Sequence, residues 1–238
     1  MPDVDVMAFG AHPDDIELGC GGTLIKLVDQ GHSVVMVDMS CGEMSTRGTV
    51  EIRKDEAAAA ARIIGAAARE NLALPDGQIR ASEEAKRRVA QVIRQYRPQM
   101  VLAPYYEDRH PDHVHTSHAV YEGAFVAGLT RYDTGQQPHR PTRFVYYMGW
   151  YEFSPTFVVD ITDQYDRKME AIYAYSTQFK PDDRSYQQTR LTSPEYQWFQ
   201  TQRMGYVGSL VQKRYAEGFL TRGTLEVADP LTLSFSSF

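Results

Sequence analysis

The chain of 238 residues has only two cysteines, Cys20 and Cys41, and they form no CxxC pair. That excludes a cysteine-rich zinc site and a disulfide framework; two reduced thiols in a cytoplasmic protein are expected. No stretch approaches the roughly 20 consecutive apolar residues that span a bilayer. No run of Lys or Arg stands out, and the net charge is −6. A general phosphate-backbone binder, which needs a basic face, is therefore not expected, and neither nucleic acid nor membrane is an expected partner. The opening MPDVDVMAFG has no basic flank and runs straight into a strand pattern, so no signal peptide is expected. Internal repeats, low-complexity tracts and linkers are missing too. What remains is an ordinary apolar and charged content in a chain long enough for one large domain, 1–238, with a substantial core.

Through the first two-thirds, strand and helix patterns alternate. Residues 4–9 and 33–39 are nearly continuous apolar runs, as in strands buried on both faces. A helical pattern with Leu18, Leu24, Ile25, Leu27 and Val28 near one face lies between them and stops at Gly31. Thr49 caps a helix to residue 64, ended by Gly65. A short strand is expected at 71–74, before the Pro75-Asp76-Gly77 turn. Ser82 caps a helix to residue 96, with Glu83 and Glu84 at its positive end. A strand at 100–103 and a helix over 112–129 complete βαβαβαβα. That order argues for an α/β fold, a mostly parallel sheet with helices on both faces. The core spans 1–130; the mixed part, 131–238, completes the pocket and makes subunit contacts. There, strands are expected at 144–148 and 156–161, helices at 163–175 and 194–215, and a loop at 180–193. The tail after Pro230 reads as an edge element or a subunit contact.

Sites in open parallel sheets form at the carboxyl ends of strands. Three polar groups fall there: Ala11-His12-Pro13-Asp14-Asp15-Ile16-Glu17, Cys41-Gly42-Glu43 and His110-Pro111-Asp112-His113-Val114-His115. Catalytic zinc takes three His or carboxylate ligands and leaves one position open. His12 and Asp15 can share an ion, because a tight turn puts residues i and i+3 on one side. The third ligand then comes from the His110/His113 pair. Hydrolysis also needs a base and an acid or oxyanion donor, roles that suit Asp14 and His110. Each motif alone has a plain structural reading. An isolated His-Pro-Asp is a turn, Asp112 is a helix cap, and His115 and His118 are exposed helix positions. Gly19 to Gly22 do not follow the strand as GxGxxG, so a dinucleotide loop fits poorly. Two His-Pro-Asp motifs at strand ends of one sheet are much harder to assign to chance.

AHPDD with GCGGT, then GE, RxxEA and HPDH, resembles the LmbE-like, or PIG-L, N-acetylglucosaminyl deacetylases. The finer match, over AFGAHPDDIELGCGGT, GTVEIRKDEA, LPD at 74–76 and YYEDRHPDH at 105–113, is similar to the bacillithiol-biosynthesis branch. That branch removes acetate from N-acetylglucosaminyl malate. The resemblance implies a Rossmann-like fold and one zinc ion held by His12, Asp15 and His113, though iron or cobalt suits the same donors. It implies Asp14 as general base and His110 as oxyanion stabiliser and donor to the leaving amine. Asp112 orients a histidine. Arg53 binds sugar hydroxyls, although pattern alone reads it as a surface ion pair. Glu43, Asp76 and Tyr196 are implied pocket residues, with Arg140 a further candidate. A homo-oligomer, possibly a hexamer, is also implied. Two kinds of alternative stand beside this reading. One is a zinc deacetylase acting on a mycothiol-type, chitooligosaccharide or antibiotic substrate. The other is a protein without catalysis, either a sugar- or nucleotide-binding module or a zinc-stabilised structural subunit.

Overall fold

A computed structural model describes residues 3–181 and 185–233. Its elements are β1 (Val6–Gly10), α1 (Asp15–Asp29), β2 (Val34–Asp38), α2 (Val50–Ile64), β3 (Ala68–Asn71), α3 (Glu83–Tyr96) and β4 (Met100–Pro104). They continue with α4 (Pro111–Ala127), β5 (Arg143–Tyr147), β6 (Phe157–Asp160), α5 (Tyr165–Tyr173), α6 (Ser176–Phe179), α7 (Pro194–Ser209) and β7 (Ala216–Leu220). The strands form one sheet in the order β3-β2-β1-β4-β5-β7-β6. From β3 through β5 every pairing is parallel, and β7 runs antiparallel to both neighbours.

Alternate residues of a strand face opposite sides of its sheet, and here both sides are covered. Met7, Phe9, Val35, Val37 and Val101 pack with Val89 and Ile93 of α3 and Val120 of α4. Val6, Ala8, Val34, Met36 and Leu102 pack with Ile16 and Leu24 of α1, Ile64 of α2 and Ile172 of α5. Double coverage is why β1 and β2 read as unbroken apolar runs. The helix ends follow their capping residues. Thr49 accepts from the Ile52 N–H at 3.3 Å and Ser82 from that of Ala85 at 3.2 Å. Gly65 closes α2 at φ 86°. No helix among the described residues is long and apolar enough to cross a membrane.

The structure differs from expectation at four places. The third strand is 68–71, not 71–74. It is an edge strand whose place is set by pairing with β2, and the apolar Leu74 beyond it enters the core from a loop. The helix expected over 163–175 starts at Tyr165 and stops at Tyr173, with the short α6 following. The helix expected over 194–215 stops at Ser209, and the unexpected β7 follows between β5 and β6. After Pro230 only a short turn, Pro230–Thr232, is regular, and residues 234–238 lie outside the described residues.

The glycine-rich GCGG run lies inside α1, so it cradles no phosphate. Its purpose is close packing. A Cβ at Gly19 would lie 2.2 Å from the Tyr147 ring, whereas one at Gly21 would find its nearest neighbour at 3.8 Å. A buried ion pair grips the same helix. Glu217 accepts from the N–H groups of Gly22 and Thr23 at 2.9 and 2.7 Å. Lys168 donates to Glu217 at 2.6 Å and to the Leu18 carbonyl at 2.9 Å. Burying that pair is costly unless its bonds are complete, which ties α1, and the site at its N-terminus, to α5 and β7. Gly19→Ala is therefore expected to cost about 1–3 kcal/mol through overpacking. Gly21→Ala is expected to be neutral or to gain up to about 1 kcal/mol of helix propensity. Urea denaturation of the two variants beside the wild type checks both.

Candidate metal centre and active site

The β1–β2 ladder runs on past Gly10, with Met39 and Ser40 donating to the carbonyls of Gly10 and Ala11. The chain then turns sharply. The His12 N–H donates to Asp15 Oδ2 at 2.9 Å, and the Asp15 N–H to the His12 carbonyl at 3.3 Å. Within this turn Asp14 has φ 115°, a left-handed value that strains a residue with a Cβ. Arg53 of α2 holds it there, donating to the Pro13 carbonyl at 3.1 Å and to Asp14 Oδ2 at 2.8 Å. Across the sheet edge, α4 opens with Pro111 in its first turn and His110 as its cap, whose Nδ1 accepts from the Asp112 N–H at 3.2 Å.

These two strand ends bring His12, Asp15 and His113 together. His12 Nδ1 lies 3.5 Å from Asp15 Oδ2, and His113 Nε2 lies 3.2 Å from Asp15 Oδ1. One donor atom from each falls within 4.8 Å of the others, as it does for the overlapping set His12, His110 and Asp112. The first set is the better metal site. In the second, His110 Nδ1 already accepts from Asp112, Asp112 Oδ2 accepts from the Gly77 N–H at 2.7 Å, and His12 Nε2 faces Asp76 Oδ1 at 3.1 Å. Two imidazoles and one carboxylate are a donor set that suits a divalent transition metal.

Carboxylates back both histidines, as is usual behind metal-binding imidazoles. Asp76 and Asp112 reach His12 Nε2 at 3.1 and 3.5 Å. Asp108 reaches His113 Nδ1 at 3.2 Å and also accepts from the N–H groups of His110 and Trp150 at 2.8 and 2.6 Å. Burial alone would depress His12, but Asp112, Asp15 and Asp76 hold it well above its usual value. Burial likewise opposes His113, which Asp15 and Asp108 lift to about 9. His110 is pushed down by burial and by the neighbouring histidines. Burial lifts Asp14 to about 7, against the pull of Arg53.

A cleft of about 510 Å³ opens over these groups, lined by His12, Asp14, Asp15, His110 and His113 among others. The C-terminal part contributes Trp150, Gln178, Arg190 and Tyr196 to its walls. Asp76 both lines the cleft and supports His12. Glu43 stands differently from expectation. It is exposed, lies outside the cleft lining, and accepts from the Asp76 N–H at 2.8 Å, so it braces the 75–77 turn. Arg53 lines the cleft, yet Asp14, Pro13 and Ser45 occupy its guanidinium, which leaves little of it for a sugar hydroxyl. Tyr196 is buried in the wall, and its hydroxyl accepts from Gln200 at 2.7 Å. Arg140 is exposed, donates to the Phe125 carbonyl near the far end of α4, and lies outside the cleft lining.

Sequence reasoning missed Asp108. Its one signal was a carboxylate two residues before HPDH, and only the fold turns that carboxylate toward His113. Asp108→Asn is expected to weaken metal affinity about 10–100-fold while the protein stays folded. Competition with a chromophoric chelator, beside a melting curve, measures it. An unchanged affinity would show that His113 needs no partner.

The model of the family described as GlcNAc-PI de-N-acetylase, PIG-L, matches residues 7–124. The diacetylchitobiose deacetylase of Thermococcus kodakarensis is 32% identical over 229 residues, covering 90% of this chain and 81% of that protein. The 4-oxalmesaconate hydratase of Pseudomonas putida is 27% identical over 201 residues, covering 74% of this chain and 75% of that one. The crystal structure of a conserved protein from Thermus thermophilus superposes with a TM-score of 0.86 at 35% identity, covering 94% of this chain and 98% of that one. A sheet, a site and a relative similar over nearly the whole length agree: the chain belongs to the PIG-L family.

Proposed function

We propose that the chain hydrolyses the acetamide of an N-acetylglucosaminyl conjugate with a zinc ion held by His12, Asp15 and His113, and that N-acetylglucosaminyl malate, in bacillithiol biosynthesis, is its substrate. The observation that carries the amidase reading is the placement of Asp14: a buried carboxylate beside the His12, Asp15 and His113 set, in the same cleft as His110. A general base must stand within reach of the proton that it takes. The malate aglycone rests on the sequence similarity to the bacillithiol branch.

Bound at this donor set, zinc supplies Lewis acidity, acidifying a water and polarising a carbonyl oxygen. The chain's residues do the rest. Asp14 takes a proton from the attacking water as its oxygen bonds to the acetamide carbon. His110 Nδ1 accepts from the Asp112 N–H, so the neutral imidazole carries its hydrogen on Nε2. That N–H donates to the oxygen on which negative charge develops. Losing one such donor typically costs on the order of 10²–10³ in rate. The C–N bond breaks as the proton on Asp14 passes to the nitrogen, giving acetate and a free glucosaminyl amine. Arg53 acts through Asp14, fixing its carboxylate and its strained backbone.

The hydratase relative supplies a second reading, water addition to an unsaturated acid, and acetate release separates the two. The wild type is expected to release acetate from N-acetylglucosaminyl malate in preference to N-acetylglucosamine, diacetylchitobiose or the inositol glycoside. Chelation should abolish this and zinc should restore it. Asp14→Asn is expected to keep its metal and lose about 10²–10⁴ in kcat; near-normal turnover with the metal bound would remove Asp14 as the base.

A further inference from the structure

Most charged groups lining the cleft have a partner. Arg53 holds Asp14, His113 faces Asp15 and His12 faces Asp76. Two do not. Arg109, between Asp108 and His110, and Arg190, at the start of the turn before α7, both line the cleft. Both guanidiniums lie over the Trp150 ring, at 4.2 and 4.8 Å from its centre. Among the described residues neither hydrogen-bonds nor ion-pairs. Some arginines are used up in the fold, Arg94 by the carbonyls of Ala127, Leu129 and Tyr132 and Arg69 by Asp38 and Glu17, whereas Arg214 and Arg222 also lie over tyrosine rings but line no part of this cleft. Two like charges over one indole repel each other, which works against the cation–π attraction that each has for the ring.

Their position is tied to the chemistry. Asp108 accepts from the Trp150 backbone N–H, faces His113 Nδ1 and accepts from the His110 backbone N–H. One carboxylate therefore ties the Trp150 backbone, the cap of α4 and a metal-site histidine together, and Arg109 sits inside that stretch. A guanidinium stacked by its face on an aromatic ring keeps its N–H edge free. Such an edge matches a carboxylate with two parallel hydrogen bonds. A neutral disaccharide needs no uncompensated positive charge at the rim.

We propose that Arg109 and Arg190, stacked over Trp150, bind a carboxylate on the substrate's aglycone and set a preference for anionic over neutral N-acetylglucosaminides. The assignment rests on the deacetylase reading and adds the residues that discriminate substrates within it.

Arg109→Gln, Arg190→Gln and the double variant, each checked for metal content, test it by steady-state acetate release. The substrates are N-acetylglucosaminyl malate and N,N′-diacetylchitobiose. The double variant is expected to lose at least about tenfold more kcat/KM on the malate conjugate than on chitobiose, from the loss of charge-assisted hydrogen bonds. The loss should appear in KM and not in kcat. The wild-type KM for the malate conjugate should rise with salt more steeply than the variant's. Equal losses on both substrates, as a stacking platform for neutral sugar would give, overturn the proposal. Calorimetry with the product, glucosaminyl malate, against glucosamine reads the same preference without turnover. If the wild type releases acetate from no sugar tested, the deacetylase reading fails, and the calorimetry still decides whether the two arginines bind the carboxylate. Tighter binding of the malate conjugate that disappears in the double variant supports it, and equal binding of both sugars overturns it.

Discussion

The grip of Arg53 on the Pro13–Asp14 turn is the contact on which the arrangement of the site depends. The turn must send the chain from the end of β1 into α1 while presenting three side chains, His12, Asp14 and Asp15, to one cleft. It does so through a left-handed Asp14, a conformation that costs on the order of 1–3 kcal/mol in a residue with a Cβ. The guanidinium offsets that cost by binding the Pro13 carbonyl and the Asp14 carboxylate together. It can hold this position because α2 packs on the sheet beside α1 through Ala57, Ala60 and Ile64. The run of alanines in α2, a helix-propensity signal in the sequence, places Ala57, Ala60 and Ala61 in the core and leaves Ala58 exposed.

How far the sequence could be read follows from where each signal resides. β1, β2 and β4 were legible because strands covered on both sides must be apolar throughout. The ends of α2 and α3 were legible because Thr49 and Ser82 cap through their own side chains. β7 was not. Its five residues include the buried Glu217, a charge that argues against a central strand until Lys168 and the N–H groups of Gly22 and Thr23 are seen around it.

The same limit applies at the site. Both His-Pro-Asp motifs stood out as local patterns, and the sheet brings them to one edge. The partners of their histidines are long-range. Asp76 reaches His12 from the turn after β3, and Asp108 needs the Gly149–Trp150 segment to hold its second oxygen. The family resemblance implied both Asp76 and Glu43 as pocket residues. The fold divides them, with Asp76 against His12 and Glu43 outside the cleft, fixing the Asp76 backbone. Arg53, which pattern alone leaves on a solvated helix face, is buried. Spacing shows that residues share a turn; it does not show which of them the chain folds around.

The charge balance at this edge explains why a dication fits there. Asp15, Asp76, Asp108 and Asp112 crowd two imidazoles, and no Lys or Arg among the described residues forms an ion pair with these carboxylates. Their field raises both histidines, so without a cation the carboxylates are compensated by imidazolium protons. Metal ligation requires neutral imidazoles and so releases those protons. Exchanging two protons for one dication leaves the total charge at the edge unchanged. The surrounding carboxylates therefore need not move between the two situations, and the supports on His12 and His113 serve both. Asp14 differs from these carboxylates in having a permanent partner, Arg53 at 2.8 Å, yet it is not isolated from the exchange: Asp15 pushes its carboxyl up and His12 draws it down, so a change of charge at the histidines reaches it.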